Sequence, residues 1–178
     1  MPHYRRYRLP GRPLFLTLVT AGRAPELVDH WPGLREAIRR VQARRPFRLD
    51  ALVVLPDHCH CILALPDRDS DYATRINQIK GAFSREVPDL SVVTASRRRR
   101  GERGVWQRRY WEHTLQDEED YRRHFDYLHY NPVKHGYVAR CREWPYSTFH
   151  RWVERGIYAP DWGCGVTPRG VDEVAAGE

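Results

Sequence analysis

Residues 49–65 read LDALVVLPDHCHCILAL, two apolar runs interrupted by Pro56-Asp57. A Pro-Asp pair between two β-prone runs is turn chemistry, so the stretch predicts a hairpin of 49–55 with 58–65. Apolar residues at nearly every position predict strands in the middle of a sheet. His58 and His60 stand two apart on the second strand and so project to one face, with Cys59 and Cys61 on the other. Two imidazoles on one face are half of a divalent-metal site. HCHC therefore does not offer four zinc ligands on one side. Cys59, Cys61, Cys141 and Cys164 read as reduced, mostly buried thiols, with zinc binding the minor alternative.

Moving outward, residues 14–20 (LFLTLVT) read as a first strand. Leu34, Ala37, Ile38 and Val41 recur at helical spacing in a helix that begins near Trp31-Pro32 and stops at Pro46. After the hairpin, Asp71 caps a helix over residues 72–87 whose buried stripe is Ile76, Ile79 and Phe83. Its other face carries Arg75, Asn77, Lys80, Ser84 and Arg85. Residues 88–104 lack periodicity and read as a basic, mobile loop. The latter half of GVWQRRYWEHTLQ reads as a fourth strand. Asp117-Glu118-Glu119-Asp120 then opens a helix, with acids against its positive end, that runs to Asn131-Pro132. A shorter amphipathic segment covers 147–155. The order β-α-β-β-α-β-α predicts an α+β fold: a ferredoxin-like core with a four-stranded, mainly antiparallel sheet, two core helices and an extra C-terminal helix. That extra helix must pack on its own sheet or on a partner's. Residues 1–158 read as one domain and 159–178 as a C-terminal tail.

With 178 residues, 41% hydrophobic and 30% charged, the chain is long enough for one buried core and too apolar for a disordered chain. No apolar run is long enough to span a bilayer, and the basic start MPHYRRYRLPGR lacks a following signal core, so a cytoplasmic location is expected. Of the 30 basic residues, 28 are Arg, the exceptions being Lys80 and Lys134, and the net charge is +7. Residues 97–109 hold seven Arg against one Glu, whereas the stretch from Asp161 onward holds four acids and one Arg. That asymmetry favours a polyanion partner, and Arg suits phosphates and unpaired bases. A metallo-hydrolase with HxHxDH is excluded by Ile62 and Leu63, and a histidine-triad hydrolase with HxHxH by Ile62.

On the last long helix Tyr127 and Asn131 are four apart and share a face. An amide oxygen can complete a His-His ligand set, and a phenol beside it can be delivered to a phosphate. Pro132 works against helical geometry at Asn131, so the shared face requires Asn131 to remain in the last turn.

The strings LVVLPDHCHCILALP, INQIKGAFSRE, GVWQRRYWEHTLQDEEDY and YLHYNPVKHGYV, in that order, resemble the single-tyrosine HUH transposases of the IS200-like group, above all the REP-associated tyrosine transposases. The resemblance spans residues 10–155. It implies His58 and His60 as metal ligands, Asn131 as third ligand and Tyr127 as nucleophile, with Tyr130 a second phenol nearby. Cys59 stands where the family carries a bulkier hydrophobe, and Asp57 where it usually has Asn. The implied chemistry is cleavage and rejoining of single-stranded DNA hairpins through a 5′-phosphotyrosine, dependent on Mg²⁺ or Mn²⁺. The implied protein works as a monomer or homodimer, without a membrane. Arg5, Arg6, Arg8, Arg97, Arg98, Arg99, Arg100, Arg108 and Arg109 are the DNA-binding candidates. The alternative is a catalytically silent hairpin-binding protein that keeps the fold. The residues do not name the general base.

Overall fold

The computed structural model describes residues 11–88, 96, 99, 103–174 and 176–177. Four strands, β1 (Leu14–Val19), β2 (Arg48–Val54), β3 (His58–Ala64) and β4 (Trp111–Thr114), form one sheet in the order β2-β3-β1-β4. Every neighbouring pair is antiparallel. Helices α1 (Trp31–Arg44) and α2 (Tyr72–Glu86) are the two crossovers, so the expected ferredoxin-like α+β core is present.

Period-two alternation divides the strands between two cores. Leu16, Leu18, Leu52, Val54, Cys61 and Leu63 face α1 and α2, where Leu34, Val41, Ile76, Ile79 and Phe83 meet them. Phe15, Ala51, Val53 and Ile62 face the opposite way, against Phe125, Tyr127 and Leu128 of α3 (Glu118–Lys134). The third long helix thus lies on the open face of its own sheet. Covering both faces is what lets β1 and β3 be buried at every position.

Three local expectations change. β2 is an edge strand rather than a central one, yet its outer rim is occupied. Val54 N–H donates to the Tyr146 carbonyl, Thr148 N–H to the Leu52 carbonyl and the Trp152 indole to the Asp50 carbonyl. Those bonds satisfy the edge and explain its apolar sequence. Arg75 is 2% exposed rather than on the solvent face of α2. Its guanidinium reaches Asp69 and the carbonyls of Arg45, Pro46 and Asp71, which turns a surface charge into a clamp on the end of α1.

The third change bears on the site. Helix α3 opens as expected, with the Asp117 carboxylate accepting the Asp120 N–H at 2.8 Å, but it continues through Pro132 to Lys134. It ends at Gly136 (φ 71°), whose N–H donates to the Val133 carbonyl while Tyr137 N–H donates to the Pro132 carbonyl. This paired 5→2 and 6→1 closure on a left-handed glycine fixes the helix end four residues beyond the proline. Asn131 is therefore fully helical.

Arg5, Arg6, Arg8, Arg97, Arg98 and Arg100 lie outside the described residues. Within the stretch read as a loop, Ser96 and Arg99 are helical. Beyond α4 (Phe149–Glu154), Tyr158, Val171 and Ala176 are buried in the core beneath α3.

Candidate active site

Antiparallel register sets Thr17 of β1 opposite His60 and Val19 opposite His58. The two imidazoles share the α3 face, their ring centroids 5.0 Å apart and nearly perpendicular. Hydrogen bonding assigns both tautomers. The Thr17 hydroxyl donates to the Ala176 carbonyl at 2.5 Å, so toward His60 it accepts, taking the Nδ1 proton at 2.9 Å. The Asp57 carboxylate accepts a hydrogen bond from Nδ1–H of His58 at 2.7 Å and is itself paired to Arg23 at 3.1 Å. In the neutral rings Nε2 is then the lone-pair nitrogen of each histidine, the form that ligates a metal, with Nδ1–H held by an outer partner. Burial, reinforced by His135 and Lys134, pushes the His60 pKa down to about 3, which keeps that ring neutral. At Asp57 burial opposes the charge, but the bonds from His58 and Arg23 outweigh it and hold the carboxyl below its ordinary range.

Above these rings α3 presents Tyr127 and Asn131, both wholly buried and one turn apart. The Tyr127 ring meets His60 edge-on with centroids 5.5 Å apart, and meets Phe15 at 6.1 Å. His58, His60, Tyr127 and Asn131, picked out from spacing, are thus brought to one face of one sheet. Two imidazole nitrogens and an amide oxygen are a donor set that fits a divalent ion of Mg²⁺ or Mn²⁺ type. Tyr130 is not in this group. Its hydroxyl lies 3.3 Å from Thr167 and its ring packs edge-on against Trp162. His129 is structural, bonding the Phe125 carbonyl and the Thr148 hydroxyl.

Two residues that the spacing argument did not single out also arrive here. Lys134 Nζ donates to the Tyr127 phenolic oxygen at 3.0 Å and lies 4.6 Å from the ring centroid. The His135 ring stands 5.3 Å from that of His58. The signal was present: seven residues from Tyr127 and four from Asn131 are the same helix face, provided α3 passes Pro132.

His113, Asp120 and His124 form a second cluster whose ligand atoms lie within 4.8 Å of one another, close enough to hold a metal ion as a set. The ring nitrogens that face Asp120 are the ones carrying protons. His124 Nδ1 faces both the Asp120 carbonyl at 2.9 Å and the Asp120 carboxylate at 3.0 Å, so it donates. The other carboxylate oxygen sits 2.8 Å from His113 Nε2 and accepts the Gln116 N–H. In this state the cluster is a clasp between β4 and α3, and a metal there would first have to displace those protons.

A cleft of about 590 Å³ runs between α2 and the segment before β4, lined by Asn77, Lys80, Arg85, Arg103, Trp106 and Arg108 among others. It opens at the histidine end of the sheet, since Gln107 N–H donates to the Val19 carbonyl and Val19 pairs with His58. Of the remaining arginine candidates, Arg99 and Arg109 are exposed.

Comparison with known proteins identifies the family. The family model described as "Transposase IS200 like" matches residues 16–131. The chain is 41% identical over 179 residues to the REP-associated tyrosine transposase of Escherichia coli K12, covering 100% of this chain and 98% of that protein. It is 42% identical over 165 residues to a Haemophilus influenzae protein provisionally assigned the same name, covering 92% and 94%. A solved structure of a REP-associated tyrosine transposase bound to a REP hairpin superposes with a TM-score of 0.79 at 41% identity, over 96% of each chain. By that family match and by relatives about two-fifths identical over nearly the whole chain, the chain belongs to the IS200-like transposase family, among the REP-associated tyrosine transposases, enzymes that cleave and rejoin DNA.

Proposed function

We propose that this chain binds single-stranded DNA hairpins of the REP type and cleaves and rejoins the strand beside them through a 5′-phosphotyrosine on Tyr127. The observation that carries this reading is the edge-on placement of Tyr127, 5.5 Å from a histidine whose tautomer leaves Nε2 as its lone-pair nitrogen. His58, His60 and Asn131 would hold the divalent ion, Mg²⁺ or Mn²⁺, which supplies charge neutralisation at the scissile phosphate. Tyr127 Oη forms a bond to phosphorus, the P–O3′ bond breaks, and the 3′ oxygen leaves as a hydroxyl. Attack by another 3′-OH reverses the step without an external energy source.

Hairpin recognition is assigned to the basic cleft, where Lys80 lies 6.0 Å from the Trp106 ring centroid and 5.8 Å from that of Tyr110, a mixture of cation and ring suited to phosphates and unpaired bases. Arg108 belongs to that surface, and Arg109 follows it in sequence. The cleft lies on the α2 side and the histidines on the α3 side of the same end of the sheet, so a strand leaving the hairpin foot would pass around that end to Tyr127. Tyr127 is wholly buried, so the chain above it must shift before a phosphate reaches it. Docking of α3 on its own sheet supports catalysis within a single chain, as a monomer. Residues 1–158 form the proposed catalytic domain and 159–178 its tail. No helix among the described residues is long and apolar enough to cross a membrane, and we place the protein with DNA in the cytoplasm.

The test is a cleavage assay on labelled hairpin oligonucleotides with Mn²⁺ or Mg²⁺. Wild type and Tyr130→Phe should cleave, and Tyr127→Phe should not. Cleavage that survives Tyr127→Phe would remove Tyr127 from its role. A wild type that binds but never cleaves would support the silent hairpin-binding reading instead.

A further inference from the structure

We propose that Lys134 is a catalytic residue of the transesterification: its ammonium binds the phenolic oxygen of Tyr127 and balances the negative charge on that oxygen as it attacks and as it leaves. The proposal rests on Tyr127 being the nucleophile.

The geometry is specific. Nζ is 3.0 Å from Oη, within charge-assisted hydrogen-bond range, and 4.6 Å from the ring centroid, so the amine is anchored to the ring as well as to its oxygen. The placement depends on two features of α3 already described. Lys134 is seven residues from Tyr127, two turns along the same face, because the helix continues past Pro132 to Lys134 before closing on Gly136. Burial holds the Lys134 amine below the usual lysine range, and Asp172 acts against that shift.

The chemistry requires a group of this kind. In cleavage the Oη–P bond forms while P–O3′ breaks. The phenolic proton passes to solvent and the 3′ oxygen takes one up. In rejoining the P–Oη bond breaks and the phenol oxygen is the leaving group. In both directions negative charge collects on Oη, whereas the divalent ion held by His58, His60 and Asn131 would supply its charge at the phosphate. A fixed cationic donor on that atom stabilises both transition states without itself exchanging a proton. A lysine serving only to bind DNA phosphate would have no reason to be seated on the phenol.

The experiment is single-turnover adduct formation on a REP-type hairpin oligonucleotide with Mn²⁺, alongside hairpin affinity measured without metal. Lys134→Met should slow adduct formation about 10²–10³-fold, the loss seen when one transition-state donor is removed, and leave hairpin affinity within about twofold. Lys134→Arg should keep part of the rate. Lys134→Ala should recover rate with added ethylammonium, saturably, which a fold defect would not do. Wild-type rates in Lys134→Met, or a loss of affinity that accounts for the whole loss of rate, would overturn the proposal. Absence of amine rescue together with inactivity of Lys134→Arg would do the same. An adduct formed by Tyr127→Phe would instead overturn the nucleophile assignment, so the two failures are distinguishable.

Discussion

Replacing Thr17 with valine removes a single hydroxyl from beside the histidine pair and leaves the shape of the side chain. In the native site that hydroxyl accepts a hydrogen bond from His60 Nδ1–H at 2.9 Å and donates one to the Ala176 carbonyl at 2.5 Å, in a wholly buried position. Without it, a buried N–H loses its acceptor, a cost of about 1–3 kcal/mol. The ring then loses the contact with Thr17 that holds its proton on Nδ1, and the tautomer protonated on Nε2 cannot ligate at Nε2. Loss of such an outer partner lowers metal affinity by about 10–100-fold, which is about 1.4–2.7 kcal/mol and matches the lost hydrogen bond. The assay is Mn²⁺ titration by electron paramagnetic resonance on hairpin-free protein in a His113→Ala background, which removes the second cluster. Thr17→Val should bind about 10–100-fold more weakly and Thr17→Ser within about threefold of the parent. Parental affinity in Thr17→Val, with binding abolished by His60→Ala, would refute the tautomer argument.

Two further outcomes follow from features that support α3. Gly136 adopts φ 71° with nothing within 4 Å of an added Cβ, so Gly136→Ala meets only the backbone penalty and should lower stability in urea by about 1–2 kcal/mol; no change would show that the left-handed closure is not what ends the helix. Burial pushes the His129 pKa down to about 3, whereas an unfolded histidine titrates near 6.5. The unfolded chain therefore binds the extra proton between those values, and stability falls as pH drops through that window by up to about 1.4 kcal/mol per unit from this group. His129→Gln should flatten the dependence of the urea midpoint on pH by that amount, and an unaltered slope would contradict it.

Much of this was legible in the sequence because strand and helix periods are short-range properties. The alternation in residues 14–19 and 58–64 fixed which side chains share a face, and so placed His58 and His60 opposite Cys59 and Cys61 before any packing was known. The four-apart spacing of Tyr127 and Asn131 did the same for α3. What periodicity cannot supply is the partner of a face. The apolar run of β2 looked central because residues 144–152, almost a hundred positions later, cover its edge. Arg75 looked exposed because the carbonyls and carboxylate that clamp it come from turns. Pro132 looked like the helix end, which hid Lys134 and His135 from the site. The stop was written in Lys134-His135-Gly136 instead, a basic last turn followed by the residue that tolerates positive φ.

The central claim, that Tyr127 is the nucleophile of a metal-assisted DNA strand transfer, is tested most directly by locating the covalent bond. Protein incubated with Mn²⁺ and a hairpin oligonucleotide is trapped in denaturant, digested with protease and nuclease, and sequenced by tandem mass spectrometry. The account predicts a phosphonucleotide on the peptide containing Tyr127, formed only with His58 and His60 intact. Attachment to Tyr130 or another side chain, or cleavage with no protein-linked product, would contradict it.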